Sequence, residues 1–468
     1  MKARNIGSSL ARPRARFDRL VLCAVLACVC RAQPVHASGG VEQARFGSED
    51  GHAAGATAFA LYYNPAALAL SPKLQIAAHL TLAWHGASYD RTQTTSPDPA
   101  EAPGANVGKA KVGDVLAAPA LALSYRLQDF VLAVGAFVPF AGLQSWSGGG
   151  QTYPQYPGTS DGSARWHFLE GGTSSLYGSL GASYTIRPIR LSIGASANLV
   201  YNTLEFTRAL NGAGNDNIAT EGRSYLDVAS VTGSFGLGVL WEAVEKKVWI
   251  GLSYQAPPGL YKDISMDGKA RILLGGVTPT DNDVSLKQAM PDIIRLALRV
   301  RPTERYELRL FGDFTRWSVF ERQCLVHKGG QCGLNSDGSL TENSDVVLNQ
   351  PRNWRNTFAV RVGGSYFFSP TWEGFAGFGY DSSAIPASTL DASLIDGHDL
   401  TYTLGGRARF ADSFGVLLAL SYQHWLERDT TGKSRLDGFK PPSRLPTSAG
   451  VYNQQAVVMN LLVEYRMR

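Results

Sequence analysis

Residues 292–314 read DIIRLALRVRPTERYELRLFGDF. Successive side chains of a β-strand point to opposite faces. Ile294, Leu296, Leu298 and Val300 therefore share one face, and Arg295, Arg299 and Arg301 share the other. A tight turn at Pro302–Glu304 follows, and the return strand sets Leu308, Leu310 and Phe314 against Glu307, Arg309 and Asp313. One face is apolar. The other carries fixed charge of both signs, as expected of a wet lumen crossed by ion pairs. A soluble sandwich also alternates, but its strands run about 5–6 residues. The segments here run about 10 to 14, which suits tilted strands that cross a bilayer.

The pattern recurs outward from this hairpin. Phe358, Val360, Val362, Tyr366 and Phe368 alternate with Arg361 and Ser365. Leu400, Tyr402, Leu404 and Phe410 alternate with Thr401, Thr403, Arg407 and Arg409. Val457, Met459, Leu461, Val463 and Tyr465 oppose Asn460, Glu464 and Arg466. Fourteen segments are expected. Six short gaps lie near Gln128–Asp129, Arg187–Pro188, Glu242–Lys246, Pro302–Glu304, Ser369–Pro370 and Ala411–Ser413. Seven long gaps run roughly 87–114, 141–173, 207–224, 273–289, 319–355, 384–399 and 429–454. Tight turns at one end and long loops at the other are the layout of an outer-membrane β-barrel. The fold class expected is therefore all-β, a transmembrane antiparallel barrel of about fourteen strands. Aromatics near segment ends (Trp84, Tyr125, Phe206, Trp241, Trp317, Trp425) are expected in interfacial belts. The segment from Lys247 to Arg271 is interrupted by Pro257-Pro258. It reads as one strand continuing above the membrane after a kink, or as a strand plus an ordered loop.

The chain has 468 residues, ample for one large barrel. Residues 1–37 read as a secretory signal. Arg4, Arg12, Arg14, Arg16 and Arg19 form a basic leader, Leu20 to Cys30 an apolar core, and Val35-His36-Ala37 a small-residue cleavage site. The apolar core is too short for the roughly 20 residues a spanning helix needs. Residues 1–37 also hold seven Lys/Arg and one Asp, which leaves 37 basic and 38 acidic residues. The formal charge of +5 thus gives no reason to expect a nucleic-acid partner. Of five cysteines, Cys23, Cys28 and Cys30 lie in the leader, where lipoprotein processing at Cys28 is the lesser reading. Cys324 and Cys332 share one long gap. A disulfide is expected in an oxidising compartment. A metal pair with His327 is the weaker alternative, because a closed zinc site takes four ligands.

Residues 38–72 precede the first strand and are too apolar for a comfortable periplasmic tail. The lumen is the nearest cavity in which they can pack. They contain Tyr63-Asn64-Pro65-Ala66, which resembles the Asn-Pro-Ala element in the N-terminal hatch of the FadL-type outer-membrane transporters of long-chain fatty acids and other hydrophobic compounds. Further matches follow in that family's order: Val138-Pro139-Phe140, Met290-Pro291-Asp292, Phe311 to Ser318, Asn353-Trp354-Arg355-Asn356-Thr357, Gly379-Tyr380-Asp381 and His398 to Arg409. The chain departs from the pattern where Ala141 precedes Gly142. It also departs in its ending, Tyr465-Arg466-Met467-Arg468, where outer-membrane strands often finish on an aromatic, so the assembly signal is expected to differ.

The resemblance implies a barrel over 73–468 whose lumen is plugged by a hatch over 38–72. It implies uptake of a long-chain fatty acid or another hydrophobic small molecule, with outer-membrane lipid as surroundings, one chain acting alone, and no cofactor or metal. Cargo caught on the long loops would pass to a pocket beside the hatch and leave sideways near the third strand. Asn64, Pro65 and Ala66 would fix the hatch backbone, with Asn64 capping it or pairing a strand donor. Phe59, Leu61, Tyr62 and Leu68 would contact ligand or wall. Pro139 and Phe140 would shape the lateral gap. Arg295 or Arg361 would hold a carboxylate, unless they pair with Glu307, Asp313 or Glu464. Two other function classes compete. A general diffusion porin needs an open lumen. A lipid-hydrolysing enzyme needs a catalytic constellation, and the chain has no G-x-S-x-G elbow, no H-E-x-x-H and no phosphate-cradling loop.

Overall fold

The computed structural model describes residues 46, 48–148, 151–274, 280–410 and 413–467. The signal expected over 1–37 and the first residues of the leading segment lie outside the described residues. The strands in chain order are β1 (Leu74–Arg91), β2 (Gly108–Leu127), β3 (Phe130–Ser145), β4 (Glu170–Ile186), β5 (Leu191–Leu210), β6 (Gly222–Val244), β7 (Val248–Gln255), β8 (Ile264–Leu273), β9 (Thr280–Gln288), β10 (Ile293–Thr303), β11 (Tyr306–Thr315), β12 (Arg322–His327), β13 (Val346–Pro351), β14 (Thr357–Phe367), β15 (Trp372–Asp381), β16 (Asp399–Phe410), β17 (Phe414–Trp425), the two-residue β18 (Arg428–Asp429) and β19 (Gly450–Met467).

β1 pairs with β2 on one side and β19 on the other, so the ladder closes on itself. The closed circuit runs β1–β2–β3–β4–β5–β6–β7–β10–β11–β14–β15–β16–β17–β19, fourteen antiparallel strands. Closure removes every sheet edge, which is what lets a sheet sit in hydrocarbon. The remaining strands rise above this circuit. β8 pairs with the far end of β6, and β9, β12 and β13 extend it in turn. The gaps expected at 273–289 and 319–355 are therefore not irregular throughout. They contain β9, β12 and β13, short strands in which consecutive residues such as Val284 to Leu286 and Cys324 to Val326 are buried, so no two-residue alternation marks them.

Alternation along the strands sorts the side chains as the sequence requires. Val115, Leu180, Phe368 and Leu404 on the outer face are 65%, 65%, 68% and 70% exposed. Arg295, Arg309, Glu373, Arg407 and Glu464 are buried inside. Trp84, Tyr125 and Trp241 lie on the outer face as an interfacial belt requires. Phe206, Trp317 and Trp425 do not: Phe206 lines the interior and packs on Phe168, and the two tryptophans are buried, because each sits on the inward side of its segment end and packs against other aromatic rings.

The chain's own leading segment packs against the inner face of the wall. It makes a 3-10 turn at Ser48–Asp50, a single helical turn at Ala60–Tyr63 and a 3-10 helix at Pro65–Leu70. Ala58 to Tyr63 and Ala66 to Leu68 are buried and share one apolar cluster with wall residues such as Phe137, Tyr177 and Phe311. The wall makes room for this backbone with glycine. A Cβ at Gly194 would collide with Pro65 and Ala66, one at Gly238 with Asn64, and one at Gly251 with Ala53. Charge fixes the other end. Asp50 pairs with Arg309 at 3.2 Å and with Arg407, and Arg299 donates to the Ala54 carbonyl at 3.0 Å.

Candidate functional site

The wall opens beside the third strand. β2 and β3 pair only from Leu121–Ala136 to Leu127–Phe130. Above that, β3 turns away, and its register with β4 slips between Phe137 and Phe140. The slip holds Pro139, which has no N–H to give to a ladder. Pro119 stands on β2 just above the last paired residues. The two strands meet again only near the top, where Lys111 bridges to Ser147 and Asp114 accepts from the Ser145 amide at 2.9 Å.

Behind this opening and above the plug lies an apolar cavity of ≈ 890 Å³, its mouth included. Phe140 is on its wall, with Phe168, Leu204 and Phe206 on one side and Ile264, Met266 and Met290 on another. Trp317 and Trp354 form its partition, with rings 4.8 Å apart at 62°. Such a lining suits an alkyl chain or an aromatic ring, since each methylene moved from water gains about 0.8 kcal/mol.

One corner of the cavity is polar. Arg352 pairs with Asp391 at 3.2 Å, and its other donors go to Gln323 and Ser393. His167 meets the Thr447 carbonyl at 3.3 Å through Nε2, and its Nδ1 has no partner. Arg208, fully buried behind Phe206, has no ion pair among the described residues, and its Nε and Nη1 are unpartnered. Burial pushes the Asp391 carboxyl up, but the Arg352 guanidinium and His167 outweigh it, so the group sits below the usual carboxylate range. Two guanidiniums, Arg352 on the lining and Arg208 behind it, thus act on the one carboxylate of Asp391, while Glu205 also lines the cavity.

The same partition bounds a second cavity of ≈ 1230 Å³, its mouth included, whose lining is mixed, with Phe358, Phe378 and Ile385 beside polar groups. Asp313, Arg361, Asp381, Asp399, Thr403 and Asn460 line it.

The expected site residues fall into distinct places. Asn64 caps the 3-10 helix by accepting from the Ala66 amide at 3.0 Å. Its amide donates to the Ala53 carbonyl at 2.6 Å and to the Val239 carbonyl of β6 at 3.0 Å, so its strand partner is an acceptor and not a donor. Pro65 opens that helix at a position where its missing N–H costs nothing. Phe59, Leu61, Tyr62 and Leu68 are buried against the wall, and none lines either cavity. Arg295 lies over the Tyr62 ring at 4.6 Å and 3.7 Å from Asp313. Arg361 pairs with Asp381 at 2.6 Å in the second cavity. Cys324 and Cys332 are bonded, Cys324 on β12 and Cys332 in the loop that follows, and neither lines the apolar cavity. Arg352, Arg208 and His167 escaped the sequence reading. Arg352 stands directly before the Asn353–Thr357 element, the one local signal that could have drawn attention to it.

Comparison with known proteins agrees with this geometry. Residues 44–466 match the family described as outer membrane protein transport protein (OMPP1/FadL/TodX). A long-chain fatty acid transport protein of Escherichia coli O6:H1 (strain CFT073) is 22% identical over 198 residues, which is 40% of this chain and 41% of that relative. The match thus spans about two fifths of that relative's length. A FadL homologue of Pseudomonas aeruginosa has the same fold, with a TM-score of 0.73 and 18% identity over 93% of this chain and 99% of that one. The toluene transporter TodX of P. putida superposes with a TM-score of 0.60 and 18% identity, covering 87% of this chain and 93% of that one.

Proposed function

Because the chain belongs to the OMPP1/FadL/TodX family of outer-membrane transport proteins, we propose that it imports an amphipathic carboxylate, of which a long-chain fatty acid is the type, through the apolar cavity and out sideways into the membrane. The observation that supports this reading is an apolar cavity with Arg352 on its lining and the buried guanidinium of Arg208, which has no ion pair among the described residues, behind Phe206. The alkyl chain occupies the space between Phe140, Leu204 and Met290. The carboxylate lies at the Arg352 end of the cavity, close to the charge of Arg208 behind Phe206. A buried guanidinium without a counter-ion is costly, and an anionic head offsets that cost. Once inside, cargo lies against Phe140, which faces the interrupted ladder between β2 and β3. That break offers a path to the bilayer that avoids the water-filled side of the lumen.

The boundaries of this reading are a plug over 38–72 and a barrel over 73–468, working as a single chain in lipid. Neutral aromatic cargo is the second reading. The Trp317–Phe320–Trp354 cluster favours it, since such rings pack an aromatic ligand edge to face. Equilibrium binding of labelled oleate and of toluene to the purified protein, in mild detergent, separates the two. Tight binding of oleate that weakens at least tenfold in Arg208→Gln supports the carboxylate reading. Equal retention by parent and variant, or preference for toluene, overturns it.

A further inference from the structure

The barrel wall is broken a second time, on the side away from β3. β7 ends its pairing with β10 at Gln255–Ile293, and the sheet resumes above at Ile264–Gln288. Between these levels run Ala256–Asp263 on one side and residues 289–292 on the other. Ala256 donates to the Phe235 carbonyl and Gly259 to the Gly233 carbonyl, both on β6. Among the described residues no backbone hydrogen bond crosses from Ala256–Asp263 to 289–292. Prolines stand on both margins, Pro257 and Pro258 facing Pro291, and none can donate to close the ladder.

The break lies at the upper edge of the apolar belt and reaches the cavity. Gly233 and Val231 of β6 pair with Leu199 and Tyr201 of β5. Leu199, Tyr201 and Val231 are all exposed on the outer face, at the upper part of the apolar belt. On the inner side, Ile264, Met266, Gln288 and Met290 flank the break, and all four line the apolar cavity. On the outer side, Leu260 and Tyr261 are exposed, and both adopt positive φ, at 53° and 70°. Consecutive left-handed residues with side chains are strained and persist only when the surroundings hold them. A hydrogen-bonded chain spans the break from the outside. Tyr261 Oη meets Tyr254 Oη at 2.7 Å, Tyr254 Oη donates to Asp292 Oδ2 at 2.8 Å, and Arg316 Nε donates to Asp292 Oδ1 at 2.6 Å.

We propose that this break is a second lateral portal, connecting the apolar cavity to the hydrocarbon between β7 and β10, with the Tyr261–Tyr254–Asp292–Arg316 chain as its latch. The inference rests on the cavity being the cargo site. It adds that hydrophobic molecules reach or leave that cavity through the lipid as well as from the loops. Tyr254 is the hinge of the latch, because its hydroxyl alone touches both margins.

The test uses the full-length protein in lipid nanodiscs, with cis-parinaric acid dissolved in the bilayer as the probe. Loading of the cavity is followed by energy transfer from tryptophan in a stopped-flow instrument, and Kd is measured separately in detergent. Tyr254→Phe breaks the latch and is expected to speed loading at least threefold. Ala289→Trp crowds the margin and is expected to slow it at least threefold. Kd should stay within twofold for both. If the parent binds the probe saturably and all three proteins load at one rate, the portal is overturned while the cargo reading stands. If the parent shows no saturable binding, the cargo reading falls and takes the portal with it. Should Ala289→Trp fail to assemble, Tyr254→Phe decides alone.

Discussion

The side-chain amide of Asn64 donates to the carbonyl of Val239, 175 residues further on, at 3.0 Å. One short polar side chain thus ties the leading segment to the wall of β6, while its oxygen caps the helix that follows. Asn64→Ala removes these bonds and the one to the Ala53 carbonyl, and leaves two carbonyls without this donor. The expected local cost is about 1–3 kcal/mol. The barrel should still assemble, with unchanged heat-modified gel mobility, while limited proteolysis after residue 46 becomes faster.

Gly238 lies so close to Asn64 that a Cβ there would overlap the amide oxygen. Gly238→Val should therefore displace the segment from the lumen without unmaking the ladder, since valine suits a strand. The expected outcome is an assembled barrel with higher single-channel conductance for small ions than the parent. Conductance equal to the parent's would show that the segment tolerates the overlap.

The barrel was readable from sequence because its signal is local. Two-residue alternation needs no knowledge of partners, and Leu296 beside Arg295 or Leu404 beside Arg407 declares its face unaided. The segment's place in the lumen was readable only as a matter of apolarity, since the contact of Asn64 with Val239 depends on closure of the whole circuit. Lumenal arginines were harder still. Arg295 and Arg361 read from sequence as carboxylate binders or as partners of Glu307, Asp313 or Glu464, and the fold sets Arg295 beside Asp313 and Arg361 beside Asp381, an acid not among those expected partners. Arg208 matters because no acid among the described residues pairs with it, and an unmet charge leaves no local mark. Trp317 was misplaced for a related reason. A tryptophan near a strand end suits the lipid interface or an aromatic core, and only its contact with Trp354 decides between them.

Asp391 makes the loops above the cavity sensitive to acid. Its carboxyl is depressed in the folded protein, so its contribution is present above the ordinary carboxylate range, about pH 4, and is lost as pH falls further. Hydrogen exchange in 382–398 should rise on acidification below that range. Asp391→Asn should show the raised exchange already at pH 7, with little further change in acid, because Arg352 has lost its counter-ion.

Reduction of Cys324–Cys332 should act locally. The bridge closes a short loop, so the chain-entropy effect is at most about 3 kcal/mol, and it ties β12 to the loop that follows. Treatment with a mild reductant should speed proteolytic nicking between residues 328 and 345 and leave oleate uptake within twofold of the untreated protein.

The most direct test of the account is the rate of labelled oleate uptake by cells that lack their own importer and express either the parent or Leu204→Trp. Leu204 is buried, lines the apolar cavity and touches neither the plug's ion pairs nor the latch. The account predicts saturable uptake by the parent and at least a tenfold loss when the indole fills the cavity, with equal amounts of assembled barrel in the outer membrane. Equal uptake by the two proteins, or a rate that rises linearly with oleate without saturating, would contradict it.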